Sequence, residues 1–325
     1  MINSMDIDHW MNEVESNIAA LTAHPYGGTP VGDVLDWATA SGGKRIRPRL
    51  LLISAMFGDR CGEQRERLTL LAAMVEVTHL ASLIHDDIVD EAPYRRDRQS
   101  VQAKFGKHAA VYAGDFLMAR IQYFQAKEKL SETGMVLSGA IEQMCAGEIG
   151  QSMCRWREDV TMQEYLCNIR GKTTALFEAA CRIGAMEGGC DGAVIDKLDQ
   201  FGACLGEMFQ LRDDLMDFTA DTSCAGKETH KDFRDGIYTM PVLLAMRDPE
   251  AKERLIPIMR VNRDQELSGE QIREMERIVQ ECGGVEATRR EIRRHAERCA
   301  QILGELPETA ASAALHEILK QLKSQ

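Results

Sequence analysis

The chain carries the stretch LLAAMVEVTHLASLIHDDIVD at residues 70–90, where a long apolar run ends in three aspartates. Residues 65–92 are apolar on more than one face of a helix, which is typical of a helix buried inside a protein. A second apolar run leads into Arg212-Asp213-Asp214-Leu215-Met216-Asp217. We therefore expect the fold to form around two buried helices that each end in a cluster of aspartates.

Each cluster places two aspartates on one face of its helix. Asp86 and Asp90 are four residues apart, as are Asp213 and Asp217, and this spacing puts each pair one helical turn apart. Like charges so placed repel one another by about 0.2–0.5 kcal/mol on an exposed helix and by more when buried, so two such pairs predict a bound cation. Each cluster could instead be a solvated helix end, although Asp is poorly placed beside the negative end of the helix dipole.

The donor atoms indicate which cation is expected. Carboxylate oxygens, without Cys or His among them, favour a hard cation, Mg²⁺ before Zn²⁺. Mg²⁺ keeps several waters and is usually completed by substrate phosphates, so the sequence predicts a phosphorylated ligand. The candidate metal ligands are Asp86, Asp87, Asp90, Asp213, Asp214 and Asp217.

Composition narrows the class of protein. The 325 residues carry 39 basic and 51 acidic side chains, a formal charge of −12, which argues against a general binder of nucleic acid or anionic membranes. The 10 Cys show no zinc-ligand spacing and follow no signal peptide, which predicts reduced core thiols and a cytoplasmic protein. The sequence contains no run of 18 apolar residues, so we expect no transmembrane segment. No long flexible linker divides the chain, so we predict a single domain over residues 1–325.

Helical periodicity dominates the chain, and alternation of the kind seen in strands is hard to find. The predicted fold class is all-α, with polar loops at 93–100 and 220–236. Residues 49–57 are strongly apolar. The predicted helices cover 5–22, a short segment through 34–37, 65–92, 107–129, 132–154, 160–187, 191–219, 238–247, 250–260, 268–282, 284–304 and 308–323.

Several basic residues lie where they could bind a phosphorylated ligand. The stretch GGKRIRP at 42–48 places three cations in a glycine-flanked turn, which allows the backbone to approach an anion and the side chains to donate charge-assisted hydrogen bonds. Arg95 and Arg96 follow the first acidic cluster, and His79 precedes it on the same predicted helix. Lys172 and Lys227 are further candidates, because a phosphorylated ligand at two acidic clusters would need anion-binding side chains.

These cations also have simpler explanations. The glycine-flanked turn could be a solubilising loop, and Arg95 with Arg96 could balance Asp90 and Glu91. A buried, hydrogen-bonded side chain is the commoner role for a residue such as His79, and a lone Lys in a helical region is normally exposed.

Taken together, these stretches resemble the trans-isoprenyl diphosphate synthase family, and in particular medium- and long-chain polyprenyl diphosphate synthases of the heptaprenyl, octaprenyl and solanesyl kind. The resemblance extends over most of the chain. It is carried by GGKRIRP at 42–48, HLASLIHDDIVDEAPYRR at 79–96, AGDFLMAR at 113–120, GKTTALF at 171–177, GEMFQLRDDLMDF at 206–218 and GKETHKD at 226–232.

The resemblance implies a fold and a reaction. The fold would be the isoprenoid synthase fold, a single large helical bundle around a central cavity. The reaction would be a Mg²⁺-dependent, head-to-tail (1′-4) condensation of isopentenyl diphosphate with an allylic diphosphate primer, giving an all-trans polyprenyl diphosphate for a lipid-quinone side chain or similar carrier. Family members usually form homodimers, here through a helix near 107–129.

The resemblance also implies roles for single residues. The catalytic set would be Asp86, Asp87, Asp90, Lys172 and Asp213, with about three Mg²⁺ ions bound between the two acidic clusters when substrate is present. The diphosphate of isopentenyl diphosphate would be bound by Lys44, Arg47, His79 and Arg96. The allylic diphosphate would be bound by Arg95, Lys172 and Lys227, with Thr173 and Gln210 lining the reaction centre. The released pyrophosphate would take the proton, so we nominate no side-chain base.

Product length in this family depends on the residues four and five positions before the first aspartate. These are Ser82 and Ala81, which lie about 6–7.5 Å below Asp86 on a helix. Phe or Tyr there would block a growing hydrocarbon chain, whereas Ala and Ser leave a channel open and favour a product longer than C20. Candidates for the floor of the channel are Leu137, Ile141 and Met144. Close helix packing is the alternative explanation for the small residues.

The chain departs from the family pattern at three places. Arg96 is followed by Asp97, where the family commonly continues with Gly. His230 occupies a place usually held by Gly, and Ile237 stands where many members carry a second Lys.

Three other functions remain open. A short-chain farnesyl or geranylgeranyl diphosphate synthase differs only in product length. A terpene cyclase shares the acidic helices but does not need the GGKRIRP turn, which serves a second diphosphate. A subunit of a heteromeric synthase is the third, although non-catalytic partners tend to lose one acidic cluster and both are whole here.

Overall fold

The computed structural model describes residues 4–40, 42–95, 98–219 and 230–324. Within these ranges the chain is almost wholly helical, which confirms the predicted all-α class. The α-helices are α1 (Ser4–Thr22), α2 (Pro30–Thr39), α3 (Ile46–Ala55), α4 (Arg65–Val89), α5 (Val101–Phe105), α6 (Lys107–Lys127), α7 (Ser131–Cys154), α8 (Met162–Ile169), α9 (Ala175–Gly188), α10 (Gly192–Thr219), α11 (Lys231–Arg234), α12 (Met240–Ala245), α13 (Pro249–Asp264), α14 (Gly269–Glu281), α15 (Gly284–Gly304) and α16 (Ala310–Ser324).

Helix α5 was not predicted, and the predicted loop 220–236 contains α11. Two further predicted elements differ from the observed ones. The predicted helix 160–187 is interrupted by a π-helical turn, Arg170–Thr174, between α8 and α9. The predicted loop 93–100 contains a two-residue antiparallel hairpin, β1 (Tyr94–Arg95) and β2 (Arg98–Gln99).

The chain forms two compact units. The first takes its described residues from Met1–Ile141, Leu176–Asp199 and Leu306–Leu315, and the second from Glu142–Ala175, Gln200–Glu305 and His316–Gln325. Each unit is assembled from stretches that are separate in the sequence. The single domain over 1–325 stays a prediction.

The first unit is built around α4, which packs against α1, α3 and α6. Side chains such as Leu71, Met74 and Val75 have no exposed surface, as expected for a helix that is apolar on several faces. Among the described helices only α4 is long and apolar enough to cross a membrane, and 67% of its most apolar window is buried, the pattern of a core helix. The last turn of this helix carries Asp86 and Asp87, so the first acidic cluster rests on a rigid element.

The second unit has its own apolar core, which includes Phe233, Val242, Met275 and Val279. Helix α12 packs against α14 and α15, and α13 packs against α14. Leu211 and Phe218 of α10 belong to this core, and the second acidic cluster lies between them in the sequence. The C-terminal end of α10 is therefore anchored on both sides of its aspartates.

The nine cysteines within the described ranges are all free thiols, in agreement with the predicted reduced state. The prediction that they are core residues is wrong for Cys145 and Cys167, which are exposed. Their helices present those positions to solvent, which helical periodicity alone did not reveal.

Candidate active site

The first acidic cluster has a buried middle aspartate and two half-buried outer ones. Asp87 is 4% exposed, and its Oδ1 accepts hydrogen bonds from Arg95 through Nε, at 2.9 Å, and through Nη2. Arg95 belongs to β1, so the hairpin after α4 folds back to hold this carboxylate. Asp86 and Asp90 are half-buried. Asp86 lies in the last turn of α4, and Asp90 caps the helix, with its amide donating to the Asp86 carbonyl.

The cations of the glycine-flanked turn have different surroundings. Arg45 donates to Glu76 Oε1 at 2.8 Å and to Glu15 Oε1 at 2.7 Å, so its guanidinium links α4 to α1. Lys44 is exposed, and the guanidinium of Arg47 lies 4.4 Å from the centre of the Phe177 ring. Arg45 therefore supports the fold, which the sequence alone did not indicate.

His79 is half-buried on α4, seven residues and about two turns before Asp86, and so lies on the same helix face. Ala81 has no exposed surface, and Ser82 is half-buried and donates its hydroxyl to the His79 carbonyl at 2.9 Å. Complete burial of Ala81 fits close packing as well as a channel wall, so the channel stays a prediction. Of the candidate floor residues, Leu137 and Met144 are buried and Ile141 is half-buried.

The second acidic cluster repeats the buried middle aspartate. Asp214 is 1% exposed, and its carboxylate accepts hydrogen bonds from the Tyr165 hydroxyl and from Gln210 Nε2, the latter at 2.8 Å. Burial raises the pKa of Asp214 to about 6. Asp213 and Asp217 are half-buried.

Asp217 ties the end of α10 to the start of α11. Its Oδ1 accepts from the Lys231 backbone amide at 3.0 Å, and its Oδ2 accepts from the Asp232 amide at 3.3 Å. Burial raises the pKa of the Asp217 carboxyl. A carboxylate oxygen has a second lone pair, so these amide contacts leave Asp217 able to accept a further ligand.

A cavity of about 80 Å³ in the second unit brings several site residues together. Lys172, Gln210 and Asp214, all expected from the sequence, line it, and Thr173 donates to Gln210 Oε1 at 2.6 Å. The cavity also contains residues not predicted as site residues, notably Tyr165 and Asp232.

Asp232 is a cavity residue that the sequence did not predict, and its pKa is strongly shifted. Burial, reinforced by the charges of Asp214 and Asp217, raises its pKa to about 8. It ends the GKETHKD stretch, but its burial arises from α11 packing beside α10, which the sequence pattern does not show. Glu148 was also missed, and its Oε1 lies 2.8 Å from Lys172 Nζ.

Lys172 lies in the π-helical turn, and glycines bring that turn close to α7. A Cβ atom on Gly147 would lie 2.4 Å from the Lys172 backbone nitrogen, and one on Gly171 would lie 2.5 Å from the Gln143 carbonyl oxygen. Only glycine permits backbones to approach so closely. This contact fixes the position of Lys172 and Thr173 along the axis of α7. A π-helical turn is a frequent feature of functional sites.

The departures from the family pattern are visible in the second unit. His230 has a left-handed backbone, φ 57°, a conformation that favours glycine, and its buried ring packs edge-on against Phe218 at 5.0 Å. Ile237 lines the same cavity as Lys172, so an apolar side chain faces the place where a second Lys is common. Arg96 and Lys227, two of the expected diphosphate-binding cations, lie outside the described residues, as does Asp97.

The donor set fits Mg²⁺, because the clusters offer carboxylate oxygens and neither thiol nor imidazole. Across 4–40, 42–95, 98–219 and 230–324, no three side chains of His, Cys, Asp or Glu converge to form a complete metal site. An ion bound here would need oxygen atoms from water and a phosphorylated ligand, which is the usual situation for Mg²⁺.

Comparison with known proteins found a family model and related enzymes. Residues 30–278 match the family model described as polyprenyl synthetase. The chain is 36% identical over 244 residues to heptaprenyl diphosphate synthase component 2 of Geobacillus stearothermophilus, covering 74% of this chain and 73% of that one. It is 33% identical over 283 residues to octaprenyl diphosphate synthase of Escherichia coli strain K12, covering 86% and 85%.

A solved structure shows the same fold. The polyprenyl synthase of Caulobacter crescentus CB15, complexed with calcium and isoprenyl diphosphate, superimposes with a TM-score of 0.85 at 29% identity, covering 99% of this chain and 98% of that one. The likeness extends over nearly the whole chain.

Proposed function

The chain belongs to the polyprenyl synthetase family, and we propose which of its residues carry out the family's reaction and what product they make. The enzyme is a trans-polyprenyl diphosphate synthase, a prenyltransferase that condenses isopentenyl diphosphate with an allylic diphosphate. We propose which residues act in the reaction, which ions bind, how long the product is and which partner the chain binds.

The observation that carries the proposal is the common construction of the two acidic clusters. In each, the middle aspartate is buried and accepts hydrogen bonds from protein donors, Arg95 for Asp87 and Tyr165 with Gln210 for Asp214. The outer aspartates of each cluster are half-buried at a spacing of one turn. We assign the direct metal contacts to the outer residues, and to Asp87 and Asp214 the task of holding each helix end in place. The outer residues are Asp86, Asp90, Asp213 and Asp217.

Mg²⁺ bound at these carboxylates supplies Lewis-acid stabilisation of the charge on the departing diphosphate. In the first unit, Lys44, Arg47 and His79 bind the diphosphate of isopentenyl diphosphate. Arg95 and Lys172 donate to the allylic diphosphate, and charge-assisted hydrogen bonds of this kind are about twice as strong as neutral ones. Arg96 and Lys227 join these sets as proposals from sequence.

Both described allylic cations already have carboxylate partners. Arg95 contacts Asp87, and Lys172 contacts Glu148. These ion pairs restrict the positions of both cations, so less side-chain entropy is lost when the diphosphate binds. The allylic C–O bond then breaks, C4 of isopentenyl diphosphate bonds to C1 of the primer, and the proton lost from C2 goes to the released diphosphate.

We propose a product longer than C20. The small residues Ala81 and Ser82 support this, as do the names of the relatives, one a heptaprenyl and one an octaprenyl diphosphate synthase. A short-chain product is the alternative. Three Mg²⁺ ions and a cytoplasmic location are further proposals that rest on the sequence.

We propose that the chain acts as a homodimer through α6, on which Tyr112 and Tyr123 are 71% and 58% exposed. The Geobacillus relative is named as component 2, which supports the alternative of a heteromeric synthase.

One assay tests the proposed function. The purified chain is incubated with radiolabelled isopentenyl diphosphate, farnesyl diphosphate and Mg²⁺, and the products are sized after dephosphorylation. We expect incorporation that EDTA abolishes, with products longer than C20. Products limited to C20 would support a short-chain synthase, and no incorporation by the purified chain would support the heteromeric alternative.

A further inference from the structure

Tyr165 is a buried residue of the second unit whose hydroxyl holds Asp214 and to which no part in the reaction has yet been assigned. Helix α8 begins with a capping box, in which Thr161 Oγ1 accepts from the Glu164 amide at 3.1 Å and Glu164 Oε2 accepts from the Thr161 amide at 2.8 Å. Tyr165 follows directly, so the cap fixes its backbone. Its ring is 6% exposed within the apolar core, and its hydroxyl donates to Asp214 Oδ2.

In each hydrogen bond around Asp214, the chemistry fixes which group donates and which accepts. An ionised carboxylate can only accept, so Tyr165 and Gln210 both donate to it. With its amide NH₂ turned toward Asp214, Gln210 presents its Oε1 to Thr173, whose hydroxyl must then donate, at 2.6 Å. The hydrogen bonds that link Asp214, Gln210 and Thr173 therefore fix the orientation of the Gln210 amide and of the Thr173 hydroxyl.

This orientation determines what the reaction centre offers. The Thr173 hydrogen is directed at Gln210, so only oxygen lone pairs of that hydroxyl are available to other groups. Fixed dipoles of this sign stabilise positive charge, and positive charge develops on the allylic carbon as its C–O bond breaks. Preorganised dipoles are effective because they do not have to reorient during the reaction.

We infer that Tyr165 is a positioning residue for the condensation, acting through Asp214 to set which atoms of Gln210 and Thr173 face the reacting allylic group. The inference rests on the proposed function, because Gln210 and Thr173 line the reaction centre only if the second unit binds the allylic diphosphate. A ring that only fills space in the core would contribute to stability and not to the rate.

Tyr165→Phe tests the inference, with Tyr238→Phe as the matched control. Tyr238 lines the same cavity and is 4% exposed, but its hydroxyl lies beside Asn262 rather than the acidic cluster. We expect Tyr165→Phe to lower kcat by about tenfold to a hundredfold, since small displacements of reacting groups cost up to about 10²-fold. KM for both substrates should stay near that of wild type, and the thermal midpoint should stay near that of Tyr238→Phe, which controls for the loss of a buried hydroxyl.

A double-mutant cycle shows whether Tyr165 acts through Gln210. In a Gln210→Ala background, Tyr165→Phe should cost less than about threefold, because residues of one network are not additive. An equal loss of kcat in both backgrounds would overturn the inference, as would unchanged kcat in Tyr165→Phe.

Two further outcomes are decisive. If Tyr165→Phe does not fold, 3-fluorotyrosine at this position keeps the ring and the donor, so kcat should stay within about threefold, and a loss above tenfold would overturn a purely positioning role. Failure of the wild-type protein to condense the substrates would overturn the proposed function and this inference together, whereas an active wild type with an unaffected Tyr165→Phe overturns the inference alone.

Discussion

Arg45 shows how one residue can stabilise the fold inside a stretch that we propose binds the ligand. Its backbone is left-handed, φ 51°, a conformation that costs a non-glycine residue about 1–2 kcal/mol. Its side chain is 17% exposed and contacts Glu76, which is 8% exposed, and the more exposed Glu15. The ion pairs offset the backbone strain and hold the turn that presents Lys44 and Arg47.

We predict that Arg45→Met lowers the free energy of unfolding by about 3 kcal/mol, because it leaves the buried Glu76 carboxylate without its partner. The control is Arg49→Met, which breaks an ion pair between Arg49 and Asp8 that are 41% and 71% exposed and should cost less than about 1 kcal/mol. Urea denaturation of both variants measures the difference. Equal losses would show that Arg45 is a surface cation like its neighbour.

At the scale of elements, the contact between α7 and the π-helical turn decides where Lys172 lies. The sequence predicted one helix over 160–187, because a π turn differs from an α-helix by a single inserted residue and keeps the same apolar pattern. Gly147 and Gly171 mark the contact, but a glycine within a helical pattern does not reveal its partner. The distances to Lys172 N and Gln143 O appear only in three dimensions.

We predict that Gly147→Ala lowers kcat/KM by about a hundredfold, because the new methyl group must push the π turn away from α7 and displace Lys172. Gly139 lies on the same helix, and a methyl group added there would meet no atom within 4 Å, so Gly139→Ala is the control. It should keep full activity and add up to about 1 kcal/mol of stability. Steady-state kinetics on both variants test this, and normal activity of Gly147→Ala would show that the contact does not position Lys172.

A second link between elements connects α15 to α10 and depends on pH. His295 Nε2 lies 3.2 Å from Glu207 Oε2, and this hydrogen bond raises the pKa of His295 above its ordinary value. A raised pKa means that the folded state holds the proton more tightly. Its contribution to stability is complete below the ordinary His pKa and is lost as the pH rises through the folded-state value.

We therefore predict that Glu207→Gln destabilises the protein by about 1–2 kcal/mol at pH 5.5 and by much less at pH 9. Denaturant unfolding at the two pH values measures the difference between variant and wild type. A penalty that is the same at both values would mean that the protonated His295 is not the partner of Glu207.

For the molecule as a whole, the sequence predicted the helices well but did not show the surroundings of each aspartate. Apolar periodicity located α4 and α10 because both helices are buried on several faces. The i, i+4 spacing identified Asp86 with Asp90, but it could not show that Asp87 and Asp214 turn into the protein. Their partners Arg95 and Tyr165 are set by tertiary packing, as is the burial of Asp232.

The length of the hydrocarbon product is a property of the whole enzyme, and we expect a single substitution to change it. We predict that Ala81→Phe shortens the main product to C20 or less, because the ring would block the channel that we propose below Asp86. The substitution should also cost about 1–3 kcal/mol of stability through overpacking, since Ala81 has no exposed surface. Chromatography of dephosphorylated products separates the two effects, and an unchanged product length in a folded variant would rule out a channel beside Ala81.

The most direct test of the central claim is the turnover of Asp86→Ala at saturating Mg²⁺, measured beside Glu91→Ala. Metal ligation at the leaving diphosphate is worth several kcal/mol, so losing this carboxylate should lower kcat by about 10³-fold. Glu91 follows the same cluster but is 74% exposed and paired with Lys107, and its replacement should change kcat by less than about threefold. Near-normal turnover of Asp86→Ala would contradict the claim that the acidic clusters bind the ions on which condensation depends.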